Sequence, residues 1–203
     1  MIVLFDTSHN LDDCERELGC EVNQLLTPGT RFKPQRPDQE FAIDNSCYAG
    51  FDRAAFEALL ERERPRVDLC RWVTCPDVVG NARRTLEAFE FWHDRLRDDG
   101  WKVALAAQDG IEHLPIPWDR IDAIFIGGST EWKMSRHAAD VIRTAKLLDK
   151  WAHAGRVNTP GRFEYFQNLG TDSLDGSGLS RYTWMREEIH RAATAPTLFE
   201  AAI

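Results

Sequence analysis

A short apolar run that ends on a polar residue and then gives way to a helical stretch recurs along this chain. No other feature restricts the fold as much. Ile2 to Phe5 runs into Asp6, and Phe41 to Ile43 runs into Asp44. Asp52 to Glu63 then reads as a helix with Phe56, Leu59 and Leu60 inward. Val67 to Cys75, broken by Arg71, runs into Asp77, and Ala82 to Arg97 sets Leu86, Phe89, Trp92 and Leu96 at helical spacing before Gly100 stops it. Val103 to Ala107 ends at Gln108 and Asp109, and Ile121 to Ile126 ends at Gly127 and Gly128. A helix from Arg136 to Lys150 puts Val141, Ile142, Ala145 and Leu148 on one face. A short run around Arg156 and Val157 meets Asn158, and a helix from Arg162 to Leu169 leads through Gly170 to a last strand near Asp175. Val3, Ile43, Val73, Val103, Ile124 and Val157 supply the β-branched character of buried strands.

Strands alternating with helices imply parallel βα units, hence the α/β class. Polar residues gathered at the carboxyl ends of successive strands suit a (β/α)8 TIM-like barrel, whose active site lies on that face. A doubly wound open sheet shares the local pattern. The 203 residues fit one domain, 1–203, and are few for such a barrel, so one or two βα units are expected to be reduced, around Thr7 to Gln39. The tail through Trp184, Ile189 and Phe199 reads as one or two packing helices.

With 43% hydrophobic and 29% charged residues, the composition is that of a soluble globular chain. No apolar run is long enough for a membrane span, and the opening lacks a basic signal-type region, so a cytoplasmic location is expected. Five scattered cysteines (Cys14, Cys20, Cys47, Cys70, Cys75) form no CxxC pair and read as reduced, partly buried thiols. Neither Cys nor His falls at zinc-ligand spacing. The net charge of −8, from 25 basic and 33 acidic residues, argues against a nonspecific nucleic-acid coat. It leaves room for a local patch from Arg83, Arg84, Arg95, Arg136, Arg143, Lys146, Lys150, Arg156 and Arg162.

Read for chemistry, the strand ends bring Asp44, Asp77 and Asp175, the amide of Gln108 and a glycine pair to one barrel mouth. Carboxylates gathered in this way raise one another's pKa values and suit acid, base or nucleophile roles. Each of them alone also suits a turn or a helix cap. Lys133 suits a phosphate contact or plain solvation, and His153, just before GRVNT, falls near the mouth. Trp92, Trp101, Trp118, Trp132 and Trp151 suit helix packing or base stacking.

Together the segments DNSCY from Asp44, CPDVVGNARRTL from Cys75, AQDG from Ala107, FIGGSTEWK from Phe125, and GRVNT with DSLDGSG resemble the tRNA-guanine transglycosylase superfamily. The likeness runs from Phe41 to Ser180 and is strongest toward the short phage-type members that insert 7-deazaguanines into DNA. It implies Asp175 as nucleophile and Asp44 as the acid/base for the purine proton. It further implies Asp77 as acceptor for the ring N–H and exocyclic amine, Gln108 as reader of the carbonyl side, and Gly127 and Gly128 as backbone N–H donors to that carbonyl. Glu131 falls behind the pocket, and Arg156 reads as a phosphate contact or a rim ion pair.

Two departures shape the expectation. Ser46 and Cys47 stand where the family has glycines, and no Cys follows Asp175, so the tRNA enzymes' zinc site and its insertion are missing. The resemblance therefore points to DNA over tRNA as polymer, and to a free 7-deazaguanine base as co-substrate. No metal or organic cofactor is implied, and a homodimer or a partner protein is left open. The alternatives are a tRNA-acting enzyme, a nucleoside-acting glycosidase or deoxyribosyltransferase with the same carboxylates, and a non-catalytic base-binding subunit.

Overall fold

Eight short runs, most of them fully buried, form the strands: β1 Ile2–Phe5, β2 Val22–Leu26, β3 Phe41–Ile43, β4 Cys70–Thr74, β5 Val103–Ala107, β6 Ala123–Ile126, β7 Trp151–Ala154 and β8 Ser173–Asp175. In the computed structural model, which describes residues 1–6, 10–31 and 35–194, they pair in parallel and in sequence order. β8 closes on β1 with Leu4 opposite Asp175, so the sheet is the expected closed (β/α)8-type barrel.

Period-two alternation sorts each strand into two faces. Outward residues such as Val3, Ile43, Val73, Val103 and Ile124 join the helices in the larger core. Inward residues fill the barrel, where Trp72, Phe125 and Trp151 interleave with Ala42, Ala104 and Ala123. Large beside small is what a closed eight-strand interior accommodates. The same alternation, carried upward, puts Asp44, Thr74, Gln108, Gly127 and Asp175 at the carboxyl ends of their strands, round one mouth.

The helices are α1 Leu11–Leu18, α2 Arg53–Glu63, α3 Ala82–Asp98, α4 Thr130–Lys133, α5 Arg136–Leu147, α6 Pro160–Asn168, α7 Ser177–Arg181 and α8 Thr183–Thr194. The side chains of Asn10, Asp52, Asn81, Ser129, Ser135 and Thr159 cap the first six, each accepting a backbone N–H two or three residues on. Each such cap contributes about 1 kcal/mol and fixes where the chain turns from strand end to helix.

The structure corrects four expectations. Thr7 to Gln39 holds a helix and a strand, α1 and β2; β2 was illegible because Asn23 and Gln24, polar residues, are buried in it. Two connections are reduced, in the expected number, the first inside Thr7 to Gln39 and the second outside it. Among the described residues no helix joins β2 to β3, and only a single 3-10 turn at Ile111–His113 lies between β5 and β6. β7 lies at Trp151–Ala154, so Arg156 and Val157 belong to the loop that follows it. Leu148 caps the end of α5 and is 45% exposed, off the buried face expected for it. In the tail, α7 and α8 do pack, with Met185 and Ile189 buried, and Phe199 lies outside the described residues.

Candidate active site

Above the Trp72–Phe125 layer the barrel opens into a cavity of about 210 Å³ lined by Asp44, Tyr48, Asp77, Gln108, Arg156 and Asp175 among others. A second lobe, also about 210 Å³, lies between Asp6, Thr27 and Arg181. Asp44 and Asp175 border both lobes, so a ligand spanning them has its junction at this carboxylate pair.

The pair is electrostatically coupled. Burial pushes the Asp44 carboxyl up to about 7, the Asp175 charge adds to the rise, and the N–H of Ser46, 3.1 Å from Oδ1, opposes it. A carboxyl at such a value exchanges protons near neutrality. Asp175 Oδ1 accepts the Arg156 N–H at 3.1 Å, and Oδ2 lies 2.9 Å from His153 Nε2. Both oxygens therefore lie within hydrogen-bond distance of a nitrogen.

Asp77 is a fixed acceptor. Its Oδ1 takes a hydrogen bond from Asn45 Nδ2 at 2.8 Å, and its Oδ2 takes one from Gln108 Nε2 at 2.7 Å. Burial raises its carboxyl, against those donors and the nearby Arg156 charge. Gly80 N–H donates to Gln108 Oε1 at 2.9 Å, which sets the amide so that Nε2 faces Asp77 in the cavity lining. Each carboxylate oxygen retains acceptor capacity for a further donor.

Other sequence-derived roles change. The N–H groups of Gly127 and Gly128 both donate to Ala107 O, at 3.0 and 3.1 Å, so the β5–β6 ladder uses them and they do not face the cavity. The glycines are needed for packing instead. A Cβ on Gly127 would lie 2.9 Å from Gln108 Nε2, and one on Gly128 would lie 2.5 Å from the Trp132 ring and 2.6 Å from Asp109 Oδ2. Overpacking of this kind costs about 1–3 kcal/mol. Gly128→Ala is therefore expected to lower the thermal midpoint by about 5 °C. Gly161→Ala, in α6 with nothing within 4 Å of its added Cβ, is the control expected to leave it unchanged or slightly raised. Equal melting of Gly128→Ala and wild type in a circular-dichroism scan would contradict the packing role.

Glu131 is exposed on α4, because Trp132 and Lys133 take the buried face of that single turn. Arg156 does line the cavity, but with backbone φ of 58°, and its Nη2 donates to Gly127 O at 2.5 Å and Gly128 O at 2.7 Å. Its guanidinium sits 4.1 Å from the Tyr48 ring centroid, as a wall rather than a free phosphate contact. Lys133 is buried, not solvated: its Nζ donates to Gly155 O, and burial pushes its ammonium down to about 8. Of the five tryptophans considered for base stacking, Trp92, Trp101 and Trp132 are buried in the core, and Trp118 and Trp151 pack against it half-buried.

Residues to which the sequence gave no role in the site complete it. Asn45 bridges Asp77 and Cys75 O, Cys47 Sγ meets the Asp77 N–H at 3.2 Å, and Tyr48 stands 68% exposed over the opening. Only their proximity to Asp44 in DNSCY hinted at them. Thr74 Oγ1, buried in the cavity lining, has no hydrogen-bond partner. Among the described residues no three His, Cys, Asp or Glu side chains are placed to hold a metal ion, and all five cysteines are free. No helix among them is long and apolar enough to cross a membrane.

Basic side chains at the amino-terminal end of the barrel are partly paired: Arg64 with Asp99 at 2.7 Å, Arg97 with Asp122 at 2.7 Å, Lys146 with Asp172 at 2.6 Å, whereas Lys102 and Lys150 form no ion pair among the described residues. Arg95 and Arg143, expected in a basic patch, pair with Glu57 and Asp140. Around the mouth, Arg83 and Arg84 in the first turn of α3, Arg136 and Arg162 opening α5 and α6, and Arg181 beside the second lobe form no ion pair among the described residues. Tyr182 and Trp184, next to Arg181, are 50% and 57% exposed.

No protein-family model and no curated protein matches the chain. Among solved structures 174 chains match, one of them in a crystal structure of an Amycolatopsis orientalis BexX/CysO complex. That chain is 12% identical, with a TM-score of 0.57, over 95% of this chain and 87% of its own. At such identity the likeness shows the fold alone.

Proposed function

We propose that this protein replaces a guanine in DNA by a 7-deazaguanine, such as 7-cyano-7-deazaguanine, through a covalent Asp175–sugar intermediate. The observation that carries this reading is one cavity in which two coupled carboxylates, Asp44 and Asp175, face a third, Asp77, whose two oxygens keep open acceptor positions. A guanine edge offers two adjacent donors, the ring N–H and the exocyclic amine, and a carboxylate fixed at both ends matches them. Gln108 Nε2–H is the donor for the neighbouring carbonyl, in place of the glycine N–H groups.

The chemistry balances on these side chains. The C1′–N bond to guanine breaks through an oxocarbenium-like state, protonated Asp44 gives its proton to the departing base, and an Asp175 oxygen bonds C1′. The five-membered-ring nitrogen of the incoming base then loses its proton to ionised Asp44 and bonds C1′, and Asp175 leaves as carboxylate. A group whose carboxyl sits at about 7 serves both half-reactions. The unpaired arginines round the mouth favour a polyanionic substrate over a free nucleoside, despite the overall charge of −8. The target nucleotide has to leave the base stack to reach the cavity, and exposed Tyr182 and Trp184 are suited to stack on unpaired neighbours.

The test is incorporation of labelled guanine and of 7-cyano-7-deazaguanine into DNA, tRNA and free nucleoside by the purified protein. Label is expected in DNA. Label only in tRNA or only in nucleoside would keep the chemistry and overturn the substrate, and label in none would reject the reading. In the same assay Asp77→Asn, which turns an acceptor toward two donors, is expected to lower kcat/KM by about 100-fold, since a bidentate base contact is worth about 1–3 kcal/mol. A change under threefold would remove Asp77 from base recognition.

A further inference from the structure

Behind Asp175, away from the cavity, a chain of hydrogen bonds runs down the inside of the barrel through groups that the proposed chemistry does not use. His153 Nε2 lies 2.9 Å from Asp175 Oδ2, and His153 Nδ1 lies 2.8 Å from Ser173 Oγ. Trp151 Nε1, which can only donate, gives its proton to that same Ser173 oxygen at 2.8 Å. The four residues occupy alternate inward positions of β7 and β8, with His153 directly opposite Ser173 in the register. His153 and Ser173 are 1% and 0% exposed.

The directions of these bonds follow from the donors. With an indole proton already on its oxygen, the Ser173 hydroxyl has its own proton free to give, and Nδ1 of His153 is the acceptor beside it. The imidazole proton is then on Nε2 and points at Asp175. The alternative tautomer sets an Nε2 lone pair against a carboxylate oxygen and leaves the serine proton without an acceptor. The ring is also clamped, with the Trp72 ring centroid 4.9 Å away and the Phe125 centroid 4.7 Å away. Nothing in this stack lets it turn without moving two large side chains.

Resting on the reading of Asp175 as nucleophile, we propose that His153 is a positioning residue, held in its Nε2–H tautomer by Ser173 and Trp151. It fixes the Asp175 carboxylate so that a free lone pair faces the sugar carbon at the junction of the two cavity lobes. A hydrogen bond to a carboxylate is stronger than one to an ester. The His153 bond therefore tightens again as the Asp175–sugar ester breaks and negative charge returns to Oδ2, which favours the second half-reaction. His153 touches neither base nor sugar in this scheme.

Two measurements test it. In protein labelled with 15N-histidine, the His153 ring is expected to show a protonated Nε2 and a bare Nδ1, a signal that shifts in Asp175→Ala. In base exchange, His153→Phe, which keeps an aromatic ring between Trp72 and Phe125, is expected to lower kcat by about 100-fold, the usual consequence of misplacing a reacting group by about 1 Å. Its affinity for the free base should stay within threefold of wild type. His153→Gln, whose amide N–H takes the place of Nε2–H, should recover at least tenfold of the loss, and Ser173→Ala, which keeps the imidazole, should give mixed tautomers and an intermediate rate. A bare Nε2, a His153→Phe kcat within twofold of wild type, or no recovery by a folded His153→Gln would overturn the proposal. Should wild type exchange no base while the tautomer and its Asp175 dependence hold, the transglycosylase reading falls and the placement of Asp175 by His153 stands.

Discussion

Asp175→Asn is expected to abolish base exchange, with a fall in rate of about 10⁴-fold or more, the scale on which enzymes lose activity when a covalent nucleophile is removed. The substitution is close to isosteric and leaves most of the site in place. The amide oxygen that replaces Oδ1 still accepts the Arg156 N–H, the amide nitrogen that replaces Oδ2 makes the His153 proton move from Nε2 to Nδ1, and the strand continues to pair with Leu4 opposite the substituted position. What is lost is the negative oxygen facing C1′. Binding of free base, which rests on Asp77 and Gln108, is expected to remain within about threefold of wild type, because uniform binding and transition-state chemistry separate in such a variant. A loss of base affinity equal to the loss of rate would mean that Asp175 recognises ligand instead of attacking it.

Asp44→Asn is expected to move activity and stability in opposite directions. Burial and the Asp175 charge hold the Asp44 carboxyl at about 7, against an ordinary value of 3.8. Between those two values the folded protein keeps a proton that the unfolded chain has released, so wild-type stability falls as pH rises through this window. Below it both states are protonated and nothing is lost; above it the full cost is present. An asparagine does not titrate and escapes that cost. At pH 8 the variant is expected to be more stable than wild type by roughly 4 kcal/mol at most, and at pH 3.5 by almost nothing. Denaturant titrations at the two values check this. Exchange should drop by about 10³-fold, the middle of the range for loss of a general acid–base group. A variant no more stable than wild type at pH 8 would show that Asp44 is not held in its raised state by burial and Asp175.

Much of the barrel was legible because its alternation is simple. Val103 to Ala107 is uninterrupted, and α3 carries Phe89, Trp92 and Leu96 at helical spacing. The strand failures share one physical feature, polar side chains buried inside a strand. In β2, Asn23 Nδ2 reaches Glu21 and Gln24 Oε1 takes the Gln35 N–H, while Asn23 Oδ1 and Gln24 Nε2 are buried with no partner among the described residues; in β7, His153 meets Ser173 and Asp175. No local pattern announces either. In the site, the positions of Asp44, Asp77, Gln108 and Asp175 at one mouth could be read from strand ends, since topology alone puts them there. The direction of the glycine N–H groups could not, because it depends on how the β5–β6 ladder extends past Ile126. Nor could the fold-back of Arg156, which follows from its positive φ.

The proposed chemistry turns on a bond between Asp175 and sugar. The most direct measurement is mass spectrometry of wild-type protein quenched in acid during turnover on a guanine-containing DNA strand, followed by digestion. The peptide from Phe163 to Arg181 carries Asp175 between two arginine cleavage sites. That peptide is predicted to gain the mass of a depurinated sugar adduct on Asp175, to lose it when excess base is added before the quench, and never to show it in Asp175→Asn. Base exchange at full rate with no adduct on this peptide, or an adduct on Asp44 instead, would contradict that chemistry.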